Sequence, residues 1–141
     1  MGTAITMVVG SCYTHVAVIT SRLVQLLRAN GCAEERAQLL AVGTAELVNN
    51  IIEHAFAEED GHDIIVEARV CDGELALRVT DHGRPVPADL IERIRAPRVD
   101  PACPAELPEG GMGLYIARQL FETLSWRNQG PCNVLLATAA C

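Results

Sequence analysis

Three groups of residues in this chain have types and spacing that could do chemistry. The first is Glu46 and Asn50, four residues apart inside the apolar run 41–56. On a helix that interval stacks the two side chains one above the other, and His54 continues the row. A polar row among Leu47, Val48, Ile51 and Ile52 is costly unless partnered, about 2–7 kcal/mol for a buried amide. Something polar, or a cavity holding water or metal, is therefore expected opposite it. Taken alone, the run fits equally well an amphipathic helix with Glu46 and Asn50 toward solvent.

The second group is Asp81-His82-Gly83-Arg84-Pro85, where a β pattern runs out. An aspartate there can accept a hydrogen bond from an exocyclic amine such as that of adenine. Gly83, lacking Cβ, admits a ring or a strained backbone close by. The third is Gly110-Gly111-Met112-Gly113 just before a helical stretch. Free amides and the dipole at a helix start make an anion site, and glycines let phosphate oxygens reach those amides. By itself, the Asp81-x-Gly83 motif reads more readily as an ordinary turn, and a glycine-rich helix start is unspecific.

The elements that must position these groups follow from periodicity. Ile5 to Val9 suits a first strand. Val16, Ile19, Leu23, Leu26 and Leu27 predict a helix over 14–30, stopped at Asn30-Gly31. A central helix is expected over 33–57, entered through Glu34-Glu35 at the positive end of its dipole. Its stripe includes Leu39, Leu40, Leu47, Val48, Ile51, Ile52 and Ala55, and Gly43 interrupts it at about 1 kcal/mol relative to alanine. Residues 63–71 and 74–80 alternate with period two around Asp72-Gly73, a strong hairpin signal. A short helix over 88–95 comes next. Pro97, Pro101, Pro104 and Pro108 make 96–109 a loop. A helix from Leu114 to about Glu122 and strands near 123–128 and 133–139, joined at Gln129-Gly130-Pro131, complete the chain.

At 141 residues this is one expected domain, able to bury roughly two-thirds of its unfolded surface. Half its residues are hydrophobic and 21% are charged, a globular composition. The net charge of −7 argues against nucleic acid or an anionic membrane held by bulk electrostatics, though not against a nucleotide. No run approaches the ~20 apolar residues of a membrane span, and the first residues lack the basic flank of a signal peptide. The six cysteines are scattered without a C-x-x-C pair. They read as free thiols in a reducing compartment, and zinc is not expected. The expected location is the cytoplasm.

In order and spacing, Glu46-x-x-x-Asn50, Asp81-x-Gly83 and Gly110-Gly-x-Gly113 resemble the N, G1 and G2 boxes of the ATP-binding fold of gyrase, histidine kinases and MutL, the GHKL or Bergerat superfamily. Within it, Glu46-Leu-Val-Asn-Asn-Ile-Ile-Glu-His-Ala-Phe56 and Asp81-His-Gly-Arg-Pro85 look most like the anti-sigma-factor serine/threonine kinases of the RsbW/SpoIIAB type. The likeness spans nearly the whole chain. It implies an α+β two-layer sandwich: a mixed, mostly antiparallel sheet of about five strands, covered on one face by helices, with a mobile ATP lid at about 96–110. It implies Glu46 as general base toward a serine hydroxyl and Asn50 as a ligand of Mg²⁺. Asp81 would read the adenine amine, with Gly83 beneath the ring, while Gly110, Gly111 and Gly113 cradle the phosphates of ATP. His54 matches a frequent histidine of the group, either near the phosphates or packed under the lid. Arg98 is a loop arginine that could reach the γ-phosphate or simply face solvent. Thr138 resembles a last-strand threonine of the fold, in a register that does not match cleanly. Arg84-Pro85 replaces a further glycine common in the superfamily. For the group's partner-contacting arginine the nearest candidate is Arg22.

The resemblance implies a serine-protein kinase and partner switch. It would phosphorylate a STAS-domain anti-anti-sigma protein, sequester a sigma factor or other regulator, and work as a homodimer. An alternative is a nucleotide-dependent protein-binding module without effective transfer; Glu46 favours the kinase, since a pure binder has no evident need of a base there. A detached histidine-kinase domain fits less well, because no helical phosphoacceptor segment accompanies it.

Overall fold

The computed structural model describes residues 2–95 and 112–141; the proline-rich loop, Arg98, the lid span 96–110, Gly110 and Gly111 lie outside them. Strand β1 (Thr3–Gly10) leads through a short 3-10 turn (Tyr13–His15) into helix α1 (Val16–Ala29), and then into α2 (Glu34–Phe56). The hairpin β2 (Asp63–Cys71) and β3 (Glu74–Asp81) follows. Helices α3 (Ala88–Arg95) and α4 (Met112–Leu120) precede the closing hairpin β4 (Thr123–Gln129) and β5 (Cys132–Ala140). Asp72 and Gly73 both take positive φ, 52° and 75°, the geometry that a two-residue turn needs to match the strands' twist.

The sheet has the order β1-β2-β3-β5-β4, and each of its four pairings is antiparallel. The sheet is thus antiparallel throughout, not mixed. The reason is topological. Two helices in succession separate β1 from β2, so the chain reverses an odd number of times before it returns. β4 does run parallel to β3, but β5 is inserted between them.

One face of the sheet carries the core. Alternate residues Ile64, Val66, Ala68 and Val70 on β2, Leu75, Leu77 and Val79 on β3, and Leu135, Ala137 and Ala139 on β5 are buried against the helices. The period-two rule extends this row at one end to Asp81 and Asn133, which are paired in register and fully buried. Helix α2 contributes Leu40, Leu47, Val48, Ile51, Ile52 and Ala55 to the core, whereas Leu39 is 49% exposed. The apolar stripe is therefore narrower than the sequence pattern suggested. Leu39 and Val42 lie to one side of it, 49% and 48% exposed.

Gly43 serves packing between helices. A Cβ there would stand 3.0 Å from Leu120 Cδ1 and 3.0 Å from Phe121 Cε2. Gly43→Ala gains about 1 kcal/mol of helix propensity, but it crowds a fully buried ring, and overpacking costs about 1–3 kcal/mol. We expect a net loss of about 1 kcal/mol, read as a lower midpoint in thermal denaturation. A midpoint equal to or above wild type would mean that α4 retreats freely.

Candidate functional site

Glu46 and Asn50 lie half-buried on the middle turns of α2. The Asn50 side chain donates Nδ2–H to the Glu46 carbonyl oxygen at 2.7 Å. Only the NH2 end of an amide can donate, so this bond fixes the amide and leaves Oδ1 as an acceptor with no hydrogen bond among the described residues. The Glu46 carboxylate has no ion pair or hydrogen bond among the described residues.

Gly113, at the start of α4, stands against both. A side chain at 113 would begin where Glu46 Oε2 already lies, and 3.5 Å from Asn50 Nδ2. The first and third motifs, 67 positions apart between Glu46 and Gly113, thus meet. The start of α4 thus faces the Glu46 carboxylate and the Asn50 amide nitrogen, and only glycine leaves room for that.

The second motif docks on the last turn of the same helix. A Cβ on Gly83 would fall 2.5 Å from the Ala55 carbonyl oxygen and 2.8 Å from Ala55 Cβ. Arg84 follows with its backbone N–H donating to Ala55 O at 2.8 Å and its Nη2 donating to His54 O at 3.1 Å. The need for glycine at 83 therefore comes from loop-to-helix contact. Ala55 lies five residues beyond Asn50, about 7.5 Å along the helix at 1.5 Å per residue, so a single helix spaces all three motifs.

Asp81 is fully buried. Its Oδ1 accepts from Gly83 N–H at 2.9 Å and from Asn133 Nδ2 at 2.9 Å, while Oδ2 is buried with no partner among the described residues. An orphaned carboxylate oxygen costs about 1–3 kcal/mol or more, so the site is short of one hydrogen-bond donor. Burial pushes the Asp81 carboxyl above its ordinary 3.8, opposed by the Asn133 and Gly83 donors and by the His82 charge.

His54 turns its imidazole to Glu53, Nε2 to Oε2 3.7 Å, and holds the second motif only through its backbone oxygen. Thr138 is remote from Asp81. It pairs with Ala76 and Thr123 at the other end of β5, where its hydroxyl meets that of Thr123 at 2.5 Å. Asn133 faces Asp81 instead. A cleft of about 420 Å³ opens beside the second motif between Phe56, Glu59, His62, His82 and Arg84, and none of Glu46, Asn50 or Asp81 lines it.

The residues fit a magnesium-bound adenine nucleotide on three counts. Asp81 Oδ2 lacks a donor, which an exocyclic amine would supply. Asn50 Oδ1, which has no hydrogen bond among the described residues, is an oxygen ligand of the kind that hard cations take. Gly113 opens a helix start where phosphate oxygens can reach amides.

Comparison with known proteins points the same way. A model of the histidine kinase-like ATPase domain matches residues 11–139. The serine-protein kinase RsbW of Bacillus thuringiensis (strain Al Hakam) is 26% identical over 123 residues, which cover 86% of this chain and 76% of the relative. Among solved structures, the SiaB-SiaC complex from Pseudomonas aeruginosa superposes with a TM-score of 0.70 at 18% identity, over 95% of this chain and 88% of that one. The RsbU and RsbW domains of a Mycobacterium tuberculosis protein give 0.67 at 16% identity over 98% of this chain, which spans 32% of that longer one. At these identities the two structures speak for the fold alone.

Proposed function

Because the chain belongs to the histidine kinase-like ATPase family, we propose that it is a serine-protein kinase and partner switch. In this reading it binds Mg-ATP, phosphorylates a STAS-domain protein on serine and sequesters a sigma factor or other regulator. Residues 1–141 act as one ATPase domain with 96–110 as its lid. The setting is the cytoplasm, and among the described residues no helix is long and apolar enough to cross a membrane. A homodimer fits edge strand β1, which pairs only with β2 and exposes Val8 by 61%.

The observation that carries the reading is the Glu46 carboxylate, without a hydrogen bond or ion pair among the described residues, between Asn50 and the start of α4. Bound Mg-ATP supplies the γ-phosphoryl group and a cation to neutralise it. Asn50 offers Oδ1 to Mg²⁺, Gly113 with Gly110 and Gly111 offers amides to the phosphates, and Asp81 Oδ2 accepts from the adenine amine. Glu46 takes the proton of the serine hydroxyl as the serine oxygen bonds to the γ-phosphorus and the bond to the β–γ bridging oxygen breaks. Little covalent work falls to the protein, so placement and charge dominate.

The test is to incubate the chain with γ-labelled ATP, Mg²⁺ and a candidate STAS-domain protein. Label on a serine of that protein is the expected result. ATP binding without label on any cognate partner would replace the kinase with a nucleotide-dependent binding module.

Asp81 gives the reading a pH signature. Its native pKa lies above 3.8. As pH falls through that raised value, Oδ2 gains a proton and ceases to accept, so ATP affinity should drop before ordinary carboxylates titrate. The same shift acts oppositely on the fold: the native state holds this proton more tightly than the unfolded chain, so Asp81 favours the native state increasingly as pH falls through that window. Affinity titrated against pH should lose this acid limb in Asp81→Asn, which binds weakly throughout. An identical profile in the variant would remove Asp81 from base recognition.

A further inference from the structure

Asn133 has every polar atom engaged, and each partner fixes its orientation. Its Oδ1 accepts from the Val86 backbone N–H at 3.0 Å and from Asn128 Nδ2 at 3.2 Å. Its Nδ2 donates to Asp81 Oδ1 at 2.9 Å and to the Arg84 carbonyl oxygen at 2.8 Å. A backbone N–H can only donate and a carbonyl can only accept, so the amide cannot be flipped without losing bonds on both sides. The residue is 0% exposed, and its register partner on β3 is Asp81 itself.

The consequence falls on the carboxylate. With Asn133 and the Gly83 N–H both on Oδ1, the Asp81 side chain cannot turn that oxygen away without breaking two hydrogen bonds, one of them buried. Oδ2 alone is left open, in a fixed direction. Meanwhile the loop 81–86 is tied on one side to α2, through Gly83 and Arg84, and on the other to β5, through Asn133 at Arg84 and Val86.

We infer that Asn133 is a positioning residue for base recognition, holding the Asp81 carboxylate and the 81–86 loop so that one oxygen is presented to the exocyclic amine of an adenine nucleotide. The inference rests on the nucleotide-binding reading given above and assigns to β5 a part in selectivity between adenine and guanine. Guanine offers a carbonyl oxygen where adenine has its amine, and a locked acceptor rejects it more strongly than one free to turn.

The experiment is a double-mutant cycle on equilibrium binding of ATP and GTP, each with Mg²⁺, to the full chain. Asn133→Thr puts a hydroxyl in place of the amide but cannot make four bonds; Asn133→Leu keeps the shape and makes none. Melting curves identify which variants are folded, and Asn133→Thr carries the test if the leucine variant is not. ATP affinity is expected to fall roughly tenfold or more, with the ATP-over-GTP preference shrinking alongside. In an Asp81→Ala background, the same Asn133 substitution should change the residual ATP affinity by less than about twofold. A folded Asn133 variant with wild-type affinity and preference overturns the inference. So does an equal loss with and without Asp81, the mark of a residue that only supports the fold. Wild-type protein that binds neither nucleotide would instead remove the functional reading itself, and this inference with it.

Discussion

Glu46→Ala is expected to cut phosphoryl transfer by about 10²–10⁴-fold, the usual contribution of a general base, while ATP affinity stays within a few-fold. The separation follows from how the site is bonded. Asn50 is held by the Glu46 backbone oxygen, not by the carboxylate, so the alanine variant keeps the amide and its Oδ1 in place. The carboxylate has no hydrogen bond or ion pair among the described residues, so its removal orphans none of them and the fold should change by about 0.5 kcal/mol or less. Asn50→Ala is the contrasting case: it deletes the oxygen proposed for Mg²⁺ and should weaken magnesium-dependent binding itself. Single-turnover transfer to a STAS-domain protein, run beside equilibrium binding, separates the two effects. Wild-type transfer by the Glu46 variant would sink the assignment of the base.

Gly83→Ala is the second large effect, and it owes nothing to any nucleotide. The new Cβ would lie 2.5 Å from the Ala55 carbonyl oxygen and 2.9 Å from its carbon, both backbone atoms of α2. No rotamer change relieves that. The loop must back away, stretching the Arg84 N–H to Ala55 bond of 2.8 Å and loosening the Gly83 N–H on Asp81. Overpacking of this kind costs about 1–3 kcal/mol, and nucleotide affinity should fall with it because Asp81 loses a donor. Gly73→Ala is the control. Its φ of +75° makes alanine strained, yet nothing lies within 4 Å, so it should lower stability and leave the site alone. Chemical denaturation of the two variants, with nucleotide binding on each, reads the difference. Equal binding by folded Gly83→Ala and wild type would mean that the loop is not rigidly docked.

Much of this was legible from the chain because it is local. The 63–81 hairpin announces itself by alternation around Asp72-Gly73, and the helix bearing Glu46 and Asn50 by its apolar spacing. What stayed hidden is what depends on distant partners. Asn133 sits 52 positions from Asp81, and only the β3–β5 register brings them together. A cue existed, since Asn133 continues the buried row Leu135, Ala137 and Ala139, where a polar residue needs a partner. Thr138 drew notice by resemblance, yet register carries it to the far end of the sheet. Gly83 was legible as a place of close approach, but the sequence could not say that the approaching group is Ala55. Leu39 falls outside the core because the apolar stripe of the sequence is wider than the face that α2 turns inward.

The insertion of β5 between β3 and β4 has a consequence for synthesis. While the chain emerges from the ribosome, β3 has a vacant edge and Asp81 lacks its neighbour until residue 133 has arrived and found its slot. Pairings of such long sequence separation form slowly. Competence for nucleotide should therefore come last, after the hairpin and both long helices have assembled, so that half-made copies hold none.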